Sequence, residues 1–225
     1  MLIFIDFDDV LFNTKLFKKE LIDVFLKNGI TKKDFFDSYY DYPLKTKKGL
    51  QKYDPWNQIK ILKEKKKFNE EKLKKDLAKL LGNLKRFIFP DSRNFLKKFK
   101  KKELVLISYG ETKFQEIKIN SSNISSYFAK IIIGDKDKAE LIKKFLIRQP
   151  AEKEEDIFLL EDFPLHINAV KQKLPRVEVI RLKRKEGRYS KLLSVKADFE
   201  AKDLKEAGKI IQKLNIKNKK YKPKM

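Results

Sequence analysis

The sequence opens with the stretch MLIFIDFDDVLF, residues 1–12, in which the apolar run LIFI of residues 2–5 ends at Asp6. Phe7 comes next, followed by Asp8 and Asp9. A continuous apolar run of this kind predicts a strand that is buried on both faces, as in a parallel sheet covered by helices. Ligands bind at the carboxyl ends of such strands. Asp6 and Asp8 are therefore the first candidates for a functional site.

Further apolar runs of the same form occur later in the chain. They are ELVLI (103–107) before Ser108, KIIIG (130–134) before Asp135, DIFLL (156–160) before Glu161, and VEVIRL (177–182). Helix-period stretches alternate with these runs, at residues 93–102, 113–119, 138–146 and 165–173. This alternation predicts an α/β protein with a Rossmann-like open parallel sheet. Residues 196–214, a short strand-like piece followed by a helix, are expected to complete the core.

The segment 15–88 has no comparable strand signal. Helical patterns at its two ends, LFKKELIDVFLKNG (16–29) and EEKLKKDLAKLLGNLKRF (70–87), flank an aromatic-rich linker. We therefore expect residues 1–14 plus 89–212 to form the α/β core and residues 15–88 to form a mostly helical cap inserted after the first strand. The linker aromatics are expected in the interior of that cap rather than on a base-stacking platform. They are Tyr39, Tyr40, Tyr42, Tyr53 and Trp56.

This chain of 225 residues carries a formal net charge of +23 and contains no cysteine. The missing cysteines exclude disulfide scaffolds, cysteine zinc sites and a cysteine nucleophile. Residues 1–14 contain three acids and no base, so an acidic site is expected inside a basic protein. The positive charge is spread over the chain, which favours small phosphorylated substrates, with nucleic acid as a less favoured partner.

Two basic segments carry separate predictions. The stretch RLKRKEGRYSK, residues 181–191, is expected to be a solvated loop and is the best candidate for a polyanion contact. Residues 213–225 contain six lysines and no acid, which predicts a disordered tail. The amino terminus has no basic leader, and no apolar run is long enough to cross a bilayer. We expect a cytoplasmic protein without membrane contact.

Polar residues that end neighbouring strands would meet at one edge of the sheet. They are Asp6 and Asp8, Ser108, and Glu161 with Asp162. Carboxylates that converge in this way repel one another unless a cation lies between them, and hard oxygen ligands favour Mg²⁺. Lys138, which opens a predicted helix, would add a positive charge to the same site.

The order of these residues resembles the haloacid dehalogenase-like (HAD) superfamily, phosphatase type, over nearly the whole chain. The first motif of that family, an apolar run followed by Asp-x-Asp, corresponds to IFI-Asp6-Phe7-Asp8. The second, an apolar run ending in Ser or Thr, corresponds to LVLI-Ser108, and the third, a lysine at a helix start, to Lys138. The fourth, an apolar run with an acidic pair, corresponds to IFLL-Glu161-Asp162.

This resemblance implies a role for each residue. Asp6 would attack phosphorus and form an aspartyl-phosphate, and Asp8 would act as general acid and then as general base. Asp6, the backbone carbonyl of Asp8, and Asp162 would hold Mg²⁺. The phosphoryl oxygens would be bound by Ser108, Lys138 and backbone amides near Asp8 and Tyr109.

Asp9 and His166 differ from the family pattern, and the lysine of the third motif has two candidates. Asp9 stands where many members have glycine and is expected to point away from the metal. His166 stands at a position that is often acidic, so Glu161 or water would take over the support of the metal there. Lys136 is the alternative to Lys138.

The function that this resemblance implies is hydrolysis of a small phosphorylated metabolite by a Mg²⁺-dependent phosphatase. The alternatives are a phosphomutase of the same superfamily, a basic nucleic-acid-associated phosphatase or binding protein, and a catalytically silent relative. The sequence leaves the substrate and the oligomeric state open.

Overall fold

The structure, a computed structural model, describes residues 1–40, 52–149, 156–192 and 196–220. In these residues a six-stranded parallel sheet has the order β3-β2-β1-β4-β5-β6. The strands are β1 (Leu2–Asp6), β2 (Leu104–Tyr109), β3 (Lys130–Gly134), β4 (Ile157–Glu161), β5 (Glu178–Leu182) and β6 (Phe199–Ala201). The α/β class and the Rossmann-like core predicted from the sequence are confirmed. The order reverses between β1 and β4, where a crevice forms in such sheets.

Helices connect the strands within the described residues. They are α1 (Thr14–Lys27), α2 (Lys32–Tyr40), α3 (Pro55–Lys65), α4 (Glu70–Leu81), α5 (Ser92–Leu96), α6 (Thr112–Ser121), α7 (Lys138–Arg148), α8 (Pro164–Lys173) and α9 (Leu204–Lys220). Polar caps mark several helix starts. Asn13 accepts a hydrogen bond from the backbone N–H of Leu16 at the start of α1, and Asp137 accepts one from Glu140 at the start of α7. These caps satisfy backbone donors that have no partner inside the helix.

Both faces of the sheet are covered by apolar side chains. On one face Phe4 and Leu159 pack in a cluster with α7 and α8. On the other face Ile5 and Leu160 belong to a larger cluster that includes α1, α4, α5, α6 and α9. Alternate residues of each central strand therefore enter different clusters, which explains the uninterrupted apolar runs in the sequence.

Helices α1–α4 form an insertion between β1 and β2. Its two ends are held together by backbone hydrogen bonds, from Asn13 N–H to the Phe87 carbonyl (2.7 Å) and from Phe89 N–H to the Leu11 carbonyl (2.9 Å). These bonds place the start of α1 directly behind the acidic end of β1.

The aromatic linker predicted inside the insertion contains parts of two helices, α2 and α3. Asp54 caps α3 and Pro55 occupies its first turn, a pairing typical of helix starts. Tyr39, Tyr53 and Trp56 pack against the apolar cluster. Tyr42 and the side chain of Tyr40 lie outside the described residues.

Three segments differ from the sequence-based expectation. Helix α5 ends at Leu96 rather than at residue 102, because five lysines among residues 97–102 would repel one another along a helix. Helix α9 continues to Lys220, so residues 213–220 are helical rather than disordered; residues 221–225 lie outside the described part of the chain.

The basic stretch 181–191 is the third difference, because it is not a fully solvated loop. The side chains of Arg181 and Arg184 are buried. Both arginines bind carboxylates and carbonyl oxygens of the protein. Within the residues that the structure describes, no helix has the length and apolar character needed to cross a membrane.

Leu159→Ala should lower the free energy of unfolding by about 2–5 kcal/mol, because it leaves a cavity in a central strand. Leu159 is fully buried, whereas Leu165 at the start of α8 is 55% exposed. Leu165→Ala, the matched control, should change stability by less than about 0.5 kcal/mol. Denaturant titration of both variants checks this, and equal losses would contradict the burial of β4.

Candidate active site

Three carboxylates meet where β1 and β4 end. Asp6 ends β1, Glu161 ends β4, and Asp162 follows it; one oxygen of each lies within 4.8 Å of the others. All three side chains are buried. Burial raises the pKa of both Asp6 and Asp162 well above the usual range, and the nearby Glu161 charge raises it further. The three carboxylates therefore repel one another when ionised, and a bound cation would reduce this repulsion.

Lys138 supplies one positive charge from the first turn of α7. Its Nζ lies 2.6 Å from Asp6 Oδ1 and 2.5 Å from Glu161 Oε2. Burial alone would lower the pKa of Lys138, but Asp6 and Glu161 outweigh it and raise that pKa. The lysine is therefore held charged between the two acids. Lys136, the alternative from the sequence, is exposed, so the geometry favours Lys138.

Glu161 uses both carboxylate oxygens within the protein. Oε1 accepts the backbone N–H groups of Asp162 and Phe163, each at 3.0 Å, and Oε2 accepts Lys138. Burial would raise the pKa of Glu161, but Lys138 and His166 hold it well below its usual range. Glu161 is thus an ionised group that orients Lys138.

His166 lies beside the same oxygen of Glu161 that accepts Lys138. Its Nδ1 lies 3.4 Å from Glu161 Oε2, and its ring packs against those of Tyr109 and Phe163. Burial lowers the pKa of His166, which favours the neutral imidazole. The structure therefore places His166 beside the acidic centre but outside the three-carboxylate group.

Asp8 is held by residues that the sequence motifs do not include. Its Oδ1 accepts hydrogen bonds from Thr14 Oγ1 (2.8 Å) and Lys118 Nζ (2.5 Å), and its Oδ2 accepts one from Gln115 Nε2 (2.9 Å). Burial would raise the pKa of Asp8, but Lys118 and Arg188 outweigh it and hold that pKa well below the usual range. Asp8 is an ionised carboxylate in this arrangement.

The turn from β2 into α6 brings Gln115 to Asp8. Gly110 in this turn has φ +154°, and a Cβ there would lie 2.8 Å from Gln115 Nε2. The same Nε2 donates to the Tyr109 carbonyl at 3.0 Å. Glycine therefore permits the close approach that joins the end of β2 to Asp8.

Lys118 lies one helical turn beyond Gln115 in an aromatic surrounding. Its Nζ is 5.1–5.9 Å from the centres of four phenylalanine rings: Phe7, Phe12, Phe17 and Phe114. Rings at this distance attract a cation. The spacing of Gln115 and Lys118, three residues apart on a helix that follows the second motif, was the signal available in the sequence.

The two predicted phosphate-binding residues on β2 differ in position. Ser108 is 1% exposed, and its hydroxyl has no hydrogen-bond partner among the described residues. It is not part of the cavity wall described below. Tyr109 does line that cavity, and its buried phenol oxygen also has no partner in the described part of the chain. The proposed contacts of Ser108 and Tyr109 with phosphate stay predictions.

The three-carboxylate group fits a divalent cation. Asp162 Oδ2 is buried and has no hydrogen-bond partner among the described residues, which leaves a hard oxygen available as a ligand. Asp6 and Asp162 from the predicted ligand set belong to the group, whereas the side chain of Asp8 binds Lys118. The backbone carbonyl of Asp8 stays a predicted ligand.

A cavity of about 270 Å³ opens between the sheet edge and the insertion. Asp6, Asp8, Lys138 and Asp162 line its inner wall. The opposite wall is largely aromatic and apolar, and it contains Phe17, Leu21, Tyr39, Tyr53 and Phe114. The cavity therefore joins a charged group of side chains to a largely apolar and aromatic wall, which also carries Lys18.

Asp9 is directed toward a different partner. It has φ +59°, a conformation that aspartate tolerates better than most residues, and its buried carboxylate binds Arg188 Nε. It is not a member of the three-carboxylate group. Arg188 belongs to the basic stretch noted in the sequence, but the motifs gave it no role in the site.

Known proteins resemble this chain in structure only. No protein-family model matches the sequence, and no curated protein does. A haloacid dehalogenase-like hydrolase from Burkholderia xenovorans is 14% identical, with a TM-score of 0.72 and coverage of 94% of this chain and 96% of that chain. A protein from Bacillus subtilis, described as an HAD hydrolase bound to magnesium, is 13% identical, with a TM-score of 0.65 over 93% and 97%.

An L-2-haloacid dehalogenase from Xanthobacter autotrophicus with chloropropionic acid covalently bound is 11% identical, with a TM-score of 0.60 over 94% of this chain and 99% of that chain. These matches cover nearly the full length of both partners. The chain therefore has the fold of haloacid dehalogenase-like hydrolases, as the sequence motifs predicted.

Lys118→Met should lower the free energy of unfolding by about 3 kcal/mol, because it leaves the Asp8 carboxylate buried without its ammonium partner. In an Asp8→Asn background the same substitution should cost at least about 1 kcal/mol less. Denaturant unfolding of the single and double variants measures this coupling. Lys113→Met, at an exposed position on the same helix, is the control. Additive effects within about 0.5 kcal/mol would contradict the ion pair.

Asp162→Asn should raise the thermal midpoint in the absence of divalent metal, because it removes a buried carboxylate that Asp6 and Glu161 repel. The raised pKa of Asp162 gives the sign: the ionised form destabilises the fold at neutral pH. We expect a gain of about 3 °C, corresponding to about 1 kcal/mol. Millimolar Mg²⁺ should raise the midpoint of the unmodified protein but not that of the variant. Equal Mg²⁺ responses would exclude Asp162 as a ligand.

Proposed function

We propose that this protein is a Mg²⁺-dependent phosphatase that hydrolyses small phosphomonoesters through an aspartyl-phosphate on Asp6. The observation that carries the proposal is the position of Asp8. This second carboxylate lines the same cavity as Asp6 and is fixed there by Thr14, Gln115 and Lys118. Hydrolysis of a phosphoester requires such a group, because the leaving oxygen needs a proton and the attacking water must lose one.

In the first half of the reaction an Asp6 oxygen attacks phosphorus, and the bond from phosphorus to the ester oxygen breaks. Lys138 favours the ionised form of Asp6 against burial and the Glu161 charge, and it orients the carboxylate through its contact with Oδ1. Asp8, protonated from solvent once the substrate is bound, gives that proton to the leaving oxygen. The bound phosphate favours a protonated Asp8, because its negative charge opposes ionisation of the neighbouring carboxyl.

In the second half, water attacks the phosphorus of the aspartyl-phosphate. Asp8, now ionised, accepts a proton from that water, and the bond from phosphorus to Asp6 breaks. Inorganic phosphate is released and Asp6 is restored. The low pKa of Asp8 beside Lys118 supports the ionised form that this half requires.

Asp6 and Asp162, with Glu161 adjacent, would hold Mg²⁺ at the end of β1 and β4. Bound Mg²⁺ would offset the repulsion between these acids and the phosphoryl oxygens. The positive exterior of the protein, with a net charge of +23, would increase the rate at which anionic substrates arrive.

Halide displacement is the second candidate, and the dehalogenases among the structural neighbours are the observation that favours it. In that reaction Asp6 would attack carbon and chloride would leave without a proton. Asp8 would then have no leaving group to protonate, although three side chains, those of Thr14, Gln115 and Lys118, fix it in the site. Phosphoryl chemistry uses this carboxylate and is therefore favoured.

Asp6→Asn should abolish the release of phosphate from an aryl phosphate in Mg²⁺, with a fall of roughly 10⁴-fold, because the amide is not a nucleophile. Glu116→Gln, which removes an exposed acid from α6, is the control and should keep full activity. Phosphate release measures hydrolysis, and chloride release from 2-chloropropionate measures the alternative.

The outcomes separate the candidate reactions. Phosphate release that survives Asp6→Asn would exclude the aspartyl-phosphate route. Chloride release without phosphate release would favour a dehalogenase, and an isomerised sugar phosphate without free phosphate would favour a phosphomutase.

A further inference from the structure

The loop after β5 is fixed against the reaction centre by two buried arginines. Arg184 donates from Nη2 to both oxygens of Asp91, at 2.8 and 3.1 Å, and from Nε to the Val10 carbonyl at 3.0 Å. The Gly187 N–H donates to the Arg184 carbonyl at 2.9 Å and closes a turn. This loop is therefore anchored to the segment that directly follows Asp8 and Asp9.

The carboxyl-terminal end of the loop is held by Arg181. Arg181 on β5 donates from Nη2 to the carbonyls of Tyr189 (3.0 Å) and Leu192 (2.6 Å). The Tyr189 ring stacks on Phe163, with ring centres 4.2 Å apart. Phe163 follows Asp162 directly, so this stack joins the loop to the acidic pair at the end of β4.

Arg188 lies between these anchors and faces the cavity. Its Nε donates to Asp9 Oδ2, and its side chain is 42% exposed. The described residues offer no acceptor to its two terminal amino groups. Asp8 and Asp162 are near enough to raise the pKa of Arg188 together with Asp9, although burial opposes them. One edge of the guanidinium is thus held by the protein and its remaining donors are available at the wall of the cavity.

We propose that Arg188 binds the phosphoryl group of the substrate through its terminal amino groups, with Asp9 as the positioning residue. A guanidinium offers two parallel donors that match two oxygens of one phosphate. The other cations at the inner wall already contact carboxylates, Lys138 with Asp6 and Glu161, and Lys118 with Asp8. Arg188 and Lys18 are the cations of the described cavity wall whose donors contact no carboxylate or keep some free of one. The Lys18 Nζ lies over the Tyr39 ring, 4.2 Å from its centre, whereas Arg188 adjoins the acidic centre.

This inference rests on the proposed function for the identity of the anion, but its binding test does not require turnover. The probe is inorganic phosphate, titrated into the full chain with Mg²⁺ by calorimetry. Arg188→Gln should weaken phosphate binding about tenfold or more, and Arg188→Lys should recover part of the loss because it keeps the charge without the two-pronged geometry. Lys185→Gln, which removes an exposed charge from the same loop, should bind phosphate within about twofold of the unmodified protein.

Kinetics with an aryl phosphate give a second readout. Arg188→Gln should raise KM about tenfold and lower kcat/KM at least about 100-fold, because charge on the phosphoryl oxygens is no longer stabilised. Thermal midpoints of each variant are measured in parallel. If Arg188→Gln binds phosphate as tightly as the unmodified protein, the proposal is overturned. It is also overturned if binding is lost only together with the folded structure.

The two proposals fail in different ways. Phosphate binding that depends on Arg188, without hydrolysis of any phosphomonoester, would reject the phosphatase and keep the assignment of Arg188. Hydrolysis that is unaffected by Arg188→Gln would keep the phosphatase and reject the assignment of Arg188. A carboxylate also fits a guanidinium, so 2-chloropropionate is the comparison anion; binding of 2-chloropropionate without phosphate would overturn the phosphoryl assignment.

Discussion

The buried ammonium group of Lys138, between Asp6 and Glu161, is the interaction on which the rest of the site depends. It joins the end of β1, the start of α7 and the end of β4 within hydrogen-bond distance. Without it, burial and the repulsion between like charges would disfavour ionisation of both carboxylates at these adjacent strand ends. Even beside Lys138 the pKa of Asp6 stays raised, whereas that of Glu161 is lowered. The order of the strands and the cap of α7 by Asp137 bring these groups together. The fold therefore positions the charged groups of the site, and the ion pairs between these groups in turn hold β1, α7 and β4 together.

A second buried ion pair, between Lys118 and Asp8, lies on the side of the site that faces the insertion. The Lys118 ammonium is surrounded by phenylalanine rings from both the core and α1, and Thr14, the first residue of α1, also binds Asp8. The packing of the insertion is thereby coupled to the position of Asp8. A change in how α1 packs would alter the contacts of the carboxylate that handles protons in the proposed reaction.

The sequence predicted the fold well because buried parallel strands leave an unmistakable local pattern. Every predicted strand occurs, and Asp6, Glu161, Asp162 and Lys138 meet as the motifs implied. Thr14, Gln115 and Lys118 were not predicted. Their contacts with Asp8 join positions up to 110 residues apart, and a single lysine in a lysine-rich chain is not distinctive. The sequence predicts a solvated loop at residues 181–191 and does not reveal the buried arginines, because burial of an arginine depends on partners such as Asp91 that only the tertiary structure supplies.

Charge balance explains why a basic protein contains so acidic a centre. Five acids, Asp6, Asp8, Asp9, Glu161 and Asp162, face three bases, Lys118, Lys138 and Arg188. With every group ionised, five acids against three bases leave a local charge of −2. One divalent cation would neutralise that charge, and a phosphate dianion would restore it. Phosphate would then need donors that are not already shared with carboxylates. A lysine whose ammonium group binds two carboxylates attracts a third anion only weakly, because their negative charges offset its positive charge. In the described part of the site the terminal amino groups of Arg188 meet this requirement beside the acidic centre, and Lys18 meets it from the side of α1. The loop that places Arg188 against Asp9 would therefore supply the phosphate donors nearest to the three carboxylates.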